Sequence, residues 1–327
     1  MNQLEQLTET APIQSISFKT KLQTSSGRHW LGIGIVAIAG ASYGVQSVLA
    51  KYAYEGNANV ASLLTIRFIG AGLVIWLTIW LLIRRGVRLQ VRQPRRKALS
   101  FFLLGLIWIT NALFYYMGLE LLPAGTAALL VFVFPALIVL WSVLFFNEKL
   151  SWTKTIALGL ALLGCFLTVD PATAFMAGAT FSWLGALYVF GSAFSNSWYS
   201  VLAQHFGKNT NGLIMAGYCI PVTAVCFTLY VSVTGTFRFD MTVAGWVCCI
   251  AIGIMTGFSV FLLLMGINII GATRSGIVAT SEPAVAVLLG ALLLGESINA
   301  AKLLGGFLIV LAILSLSRKP TEEIAHA

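Results

Sequence analysis

The sequence predicts an all-α integral membrane protein: ten transmembrane helices arranged as two inverted five-helix repeats. Three observations carry that prediction. The chain of 327 residues is 58% hydrophobic and 9% charged, whereas soluble domains carry about 25% charged residues. Polar groups therefore cannot cover its surface, and lipid must cover much of it. The apolar residues come in long runs rather than in the alternation of a barrel strand, and each run approaches the roughly 20 residues a helix needs to cross a bilayer. Finally, "GLELLPAGTAALLVFVFPALIVLWSVLFFNEKL" from Gly118 aligns without a gap to "GINIIGATRSGIVATSEPAVAVLLGALLLGESI" from Gly266.

Along the chain, residues 1–29 read as a polar, loose amino-terminal tail without the short apolar core of a secretory signal. Spans are predicted at 30–50, 60–83, 98–119, 124–146, 152–169, 179–203, 212–234, 243–267, 273–295 and 299–317. Residues 30–169 form the first repeat, 170–317 the second, and 318–327 a short closing tail. In the alignment from Gly118 and Gly266, Pro135 meets Pro283, Glu148 meets Glu296 and Lys154 meets Lys302. A second echo, "SVLAKYA" from Ser47 and "SVLAQHF" from Ser200, joins the first and sixth spans. Five is odd, so the second copy must lie upside down relative to the first. Inverted repeats are an architecture of secondary transporters, with the substrate site near the midplane between them. A duplicated membrane scaffold without transport is the plainer alternative.

Lys and Arg set the orientation. With the amino terminus inside, the inner loops hold most of the basic residues, including the run "RRGVRLQVRQPRRK" from Arg84, while the outer loops hold only Lys51, Arg238 and Lys302. Both termini are predicted cytoplasmic. The basic run is first an orientation signal; nucleic-acid binding is not expected, and contact with anionic lipid is generic. Cys165, Cys219, Cys226, Cys248 and Cys249 all fall inside predicted spans. They read as packing residues, and no metal or other cofactor is expected. "GASYG" from Gly40 matches the hydrolase elbow G-x-S-x-G but lies in a continuous apolar run, where the motif needs a strand and a sharp turn. No enzymatic activity is expected, and there is no Walker loop.

Two repeats contain the residues that carry a family likeness: "ALFYYMGLELLPAGTAALLVFVFPALIVLWSVLFFNEKLSWTKTIALGLALLGCFLTV" and "GINIIGATRSGIVATSEPAVAVLLGALLLGESINAAKLLGGFLIVLAIL". Each has a small-residue loop, a proline in mid-span, a Gly/Asn-Glu at the span's end and a glycine-containing final span. The chain resembles the drug/metabolite transporter superfamily, and within it the ten-span permeases with two EamA repeats. The likeness covers about residues 30–317 and extends to the arginine of "LLTIRFIGAGL". It implies export or exchange of small organic solutes such as amino acids or drugs, across a bacterial inner membrane and without ATP hydrolysis. It also leaves open a nucleotide-sugar or sugar-phosphate exchanger. The two halves are unequal: Phe134 stands where the second repeat has Glu282.

Glu282 leads the candidate substrate-binding residues. A charge in mid-bilayer costs at least a few kcal/mol, so it should face a partner or a wet cavity. Counted from Thr273 it lies about 14 Å deep, near the centre of the bilayer. It can serve a substrate ammonium, a proton or a structural ion pair. Arg67 falls at a level within about 6 Å of it. The two either pair directly or hold a zwitterionic substrate between them, and a snorkelling Arg67 is the plainer reading. Trp108, Asn111 and Tyr115 share one face of the third span; Tyr43, Gln46 and Ser47 share a face of the first; Asn196 and Tyr199 lie three apart on the sixth. These residues are expected to line a cavity or to hydrogen-bond between helices. Pro135 and Pro283 are expected to kink their spans. Trp30, Trp152 and Trp183 should anchor at the interface. Glu148 and Glu296 read as helix-end or gate residues. A membrane-embedded enzyme would need more titratable groups at one depth, and a channel would need rings of like charge or carbonyls.

Overall fold

A computed structural model of the chain describes residues 25–121, 130–148, 151–169, 182–294 and 300–317. Among these residues there are helices and loops and no strand. The helices are α1 (Ser25–Glu55), α2 (Val60–Arg84), α3 (Arg95–Leu121), α4 (Phe134–Phe146), α5 (Trp152–Val169), α6 (Trp183–Phe206), α7 (Gly212–Thr234), α8 (Val243–Ile270), α9 (Ala272–Ala279), α10 (Ser281–Leu294) and α11 (Ala300–Ser317). Five of them, α1, α2, α3, α7 and α8, contain stretches long and apolar enough to cross a membrane, and α4, α5 and α11 are shorter and apolar. Polar caps start the spans. Asn59 accepts from the Ser62 amide, Ser182 from Gly185, Asn211 from Leu213 and Thr242 from Gly245. Each satisfies one of the amides that open a helix.

Two predicted spans are not single helices. The run expected at 273–295 divides into α9 and α10 at Thr280, whose hydroxyl donates to the Ile277 carbonyl at 2.6 Å and whose amide donates to the same oxygen at 3.2 Å. The described part of 124–146 has a turn at Phe132–Val133 before α4. Pro135 and Pro283 therefore stand in the first turn of a new helix, where a missing N–H costs nothing, rather than at a bend inside one. The kinks expected from the sequence are breaks. Proline has no N–H for the carbonyl one turn back and its ring crowds that carbonyl, and a break just upstream relieves that conflict.

Small residues let the helices approach. A Cβ on Gly253 would sit 3.2 Å from the Gly70 Cα, and one on Gly257 2.9 Å from the Ala71 carbonyl, which brings α8 against α2. Gly40 brings α1 onto the break, since its Cβ would overlap the Ser281 hydroxyl. Further pairs are α1 with α8, α3 with α6, α3 with α7, α4 with α6, α1 with α10 and α5 with α11. Inside α7, Pro221 cannot donate to the Gly217 carbonyl one turn back. The Trp76 indole of α2 takes its place at 3.0 Å.

Trp152 and Trp183 are 78% and 81% exposed at helix starts, and Trp30 is 47% exposed, which suits interface anchors. The five cysteines are free thiols. The amino-terminal residues to 24, the tail from 318, Glu296 and the side chain of Ser47 lie outside the described residues.

Candidate functional site

The broken helix places the one carboxylate of its middle. Glu282 is in the first turn of α10, two residues past the break. A helix start carries partial positive charge, which favours an anion there by about 0.3–1 kcal/mol, and by up to ~2 where partly buried. Protein encloses Glu282, yet part of its surface remains accessible. Among the described residues its carboxylate has no hydrogen-bond or ion-pair partner. Arg67 and Tyr43 lie within electrostatic range of it, and so does Cys165 on α5. Arg67 and Glu282 thus interact electrostatically without forming an ion pair among the described residues.

Arg67 is held from behind. Its Nε donates to the Thr256 hydroxyl at 2.9 Å, and that hydroxyl donates to the Gln46 carbonyl oxygen at 2.6 Å. The Gln46 amide donates in turn to the Ser42 carbonyl at 3.1 Å and to the Ser259 hydroxyl at 3.3 Å. Gln46 is 4% exposed, and Thr256 and Ser259 are fully buried. The chain of donors runs from α2 through α8 to α1. It commits one edge of the guanidinium, and among the described residues the two terminal nitrogens make no hydrogen bond. Arg67 also packs over the Phe68 ring, 5.6 Å from its centroid.

The aromatic and amide candidates divide. Trp108 and Tyr199 pack ring to ring across α3 and α6, centroids 4.5 Å apart, and Tyr199 is in electrostatic range of Tyr43. Both rings are buried in the main apolar core, and Tyr43 packs against the same core. Asn111 accepts from the Ser192 hydroxyl at 2.7 Å, which ties α3 to α6. The Asn196 side chain is half-buried, with no hydrogen bond among the described residues. Tyr115 is half-buried on α3. Gln46 is spent on helix–helix hydrogen bonding, the other use open to it in the sequence. Phe134, the counterpart of Glu282, is buried in the first turn of α4.

Sequence reading missed Thr256 and Ser259. Their signal is a polar pair three residues apart in "GIMTGFSVF", an otherwise apolar run. It also missed the partners of Glu148, which bonds the Lys154 ammonium at 2.5 Å and accepts from the Thr273 hydroxyl at 3.0 Å. Thr273 opens α9, so Glu148 joins the end of α4 to the start of the broken ninth run. Among the described residues no cluster of His, Cys, Asp and Glu could hold a metal ion.

Comparison with known proteins adds to this geometry. The profile of the EamA-like transporter family matches residues 30–170 and again 183–318. The chain is 27% identical over 291 residues to the uncharacterized inner membrane transporter YicL of Salmonella typhimurium, spanning 86% of this chain and 93% of that protein. It is 27% identical over 231 residues to the uncharacterized transporter YdfC of Bacillus subtilis, covering 69% of this chain and 73% of that one. A solved crystal structure superposes with a TM-score of 0.73 at 22% identity, over 89% of this chain and 98% of the other, so the two share a fold.

Proposed function

Because the chain belongs to the EamA-like transporter family, we propose that it is a secondary transporter, an exporter or exchanger that moves small organic solutes across a bacterial inner membrane by alternating access. Membership supports a multi-pass membrane protein of transport function. The observation that carries the finer reading is the pair of opposite charges, Arg67 and Glu282. They are within electrostatic range, and among the described residues they are not ion-paired, the Arg67 terminal nitrogens and the Glu282 carboxylate making no hydrogen bond. Unpaired charges in a bilayer are expensive and mark substrate or ion pathways. A zwitterionic or amine-bearing solute fits between them, with its carboxylate on Arg67 and its ammonium on Glu282. Tyr43, within electrostatic range of both charges, belongs to the same site in this reading. Glu282 also offers a group for proton coupling.

Ten spans in two inverted halves give this site its position. The helix pairs support that arrangement. Exchanging each span for its counterpart five places on turns α1 with α8 into α6 with α3, α2 with α8 into α7 with α3, and α1 with α10 into α6 with α4. Both breaks fall just before the matched prolines. Half-helices meeting at the midplane are the usual frame of such sites. The excess of Lys and Arg on one set of loops favours cytoplasmic termini.

The test is reconstitution in liposomes with a mixed pool of amino acids, nucleobases and cationic dyes, comparing wild type with Glu282→Gln, with and without a pH gradient. Saturable, trans-stimulated flux lost in the variant is the expected result. Linear, non-saturating flux would make the protein a channel. Flux unchanged by Glu282→Gln would remove the carboxylate from the site.

A further inference from the structure

The segment between α2 and α3 does more than count positive charges. Residues 87–92 are an irregular segment with a tight turn at Leu89–Val91, where the Val91 amide donates to the Leu89 carbonyl at 2.9 Å; Val87, Leu89 and Val91 are half-buried, and Arg88, Gln90 and Arg92 are exposed. Leu89 and Val91 pack on the main core. Tyr218 of α7 pins the strap: its hydroxyl donates to the Val91 carbonyl at 3.0 Å and accepts from the Gln93 amide at 3.4 Å. At the far end Lys97 donates to the Lys208 carbonyl and the Thr210 hydroxyl. The strap is thus a fixed surface, and its outward side is arginine.

Six arginines, Arg84, Arg85, Arg88, Arg92, Arg95 and Arg96, are exposed within this short stretch. Among the described residues none of their side chains makes an ion pair or hydrogen bond. Arg84 lies over the Trp80 ring, 4.2 Å from its centroid, where α2 ends among exposed apolar side chains. An aromatic ring beneath a guanidinium at the end of an apolar helix marks the level of lipid headgroups. The loop between α7 and α8 is built the other way. Its Arg238 donates to the Asn57 side-chain oxygen at 2.7 Å, and Asn57 donates to Asp240 at 2.7 Å. One loop has its arginine engaged, and the other leaves six open to an anion. Orientation alone asks only for charge. It does not ask for a strap that holds the charges outward.

We propose that this strap is a binding surface for the phosphodiester headgroups of anionic phospholipids. Trp80 and Arg84 seat it at the membrane boundary, and Arg88 and Arg92 reach the phosphates. Guanidinium groups suit this ligand because their fork of donors matches phosphate oxygens two at a time. The surface is independent of the transport site, so its test needs no substrate.

Purified full-length protein in micelles is mixed with phosphatidylglycerol or phosphatidylcholine, and bound lipids are counted by native mass spectrometry, with and without inorganic phosphate. Wild type is expected to retain roughly 5-fold more phosphatidylglycerol than phosphatidylcholine. Arg88→Gln with Arg92→Gln should reduce that preference to under about 2-fold. The equal charge change of Arg28→Gln with Lys51→Gln, at exposed positions off the strap, should leave it in place. Equal retention of both lipids by wild type would overturn the proposal. So would equal losses from the two double variants, which would reduce the effect to net charge. Displacement of the lipid by millimolar inorganic phosphate would overturn it as well, because the site would then be one for free phosphate.

Discussion

Arg67 donates its Nε–H to the Thr256 hydroxyl at 2.9 Å, and that hydroxyl has a single proton, which goes to Gln46. The direction of the chain is therefore fixed: guanidinium to threonine, threonine to glutamine, glutamine to serine. Thr256→Val keeps the shape and removes both links. It leaves a buried glutamine oxygen and an arginine donor unsatisfied, at a cost of about 1–3 kcal/mol. Thermal unfolding in detergent should show a lowered midpoint for the valine variant and near wild-type behaviour for Thr256→Ser. Equal midpoints for valine and wild type would mean that Arg67 is not held from behind.

The Glu282 carboxylate makes a second prediction, and its sign separates two readings. A carboxylate kept for structure is bonded, and losing it lowers stability. One kept for function without a partner is a cost to the fold, and replacing it raises stability while activity falls. With no hydrogen bond to Glu282 among the described residues, the second case applies. Glu282→Gln should raise the unfolding midpoint by a few degrees, the scale of about 1 kcal/mol, and abolish transport. A fall in both quantities would return Glu282 to a structural role.

Trp76 and Pro221 are coupled through one backbone carbonyl, that of Gly217. Proline removes the donor from one turn of α7, and the Trp76 indole supplies another to Gly217. Trp76→Phe should destabilise by about 1 kcal/mol. In the background of Pro221→Ala, where the helix restores its own donor, the same change should cost less. A double-mutant cycle on unfolding midpoints reads the difference. Additive effects would show that the indole is an ordinary lipid-facing ring.

Composition and run length placed the helices well, because the apolar demand of a bilayer acts on every residue of a span. The run 212–234 is α7 as expected, and α2 differs by one residue. The break at Thr280 was not legible. Hydropathy averages over about 20 residues, while a turn of one residue depends on a threonine hydroxyl bending back on the Ile277 carbonyl. Glu282 and Arg67 stood out because a charge in an apolar run is conspicuous. Thr256 and Ser259 did not, since hydroxyls are common in membrane helices and their partners lie some 200 residues away. Gln46 was visible as polar, but which of its two uses applied depended on α8, a contact the first span cannot announce.

Glu148, Lys154, Ser142 and Thr273 join the end of α4 and start of α5 to the start of α9. The Thr273 hydroxyl lies 3.2 Å from that of Ser142 and 3.0 Å from the Glu148 carboxylate, which also bonds Lys154. These contacts connect the two repeats at one end of the broken helices. If alternating access opens this end, they must part in each cycle, and a covalent link should stop the cycle. Ser142→Cys with Thr273→Cys puts two sulfurs where the hydroxyls now meet, close to the reach of a disulfide. The five native cysteines, already free, would be replaced for this test. Oxidation should abolish saturable flux in liposomes, and dithiothreitol should restore it. Each single variant should transport normally under oxidant. Full flux through the cross-linked protein would show that this end stays closed throughout transport, and the moving contacts would then have to lie elsewhere.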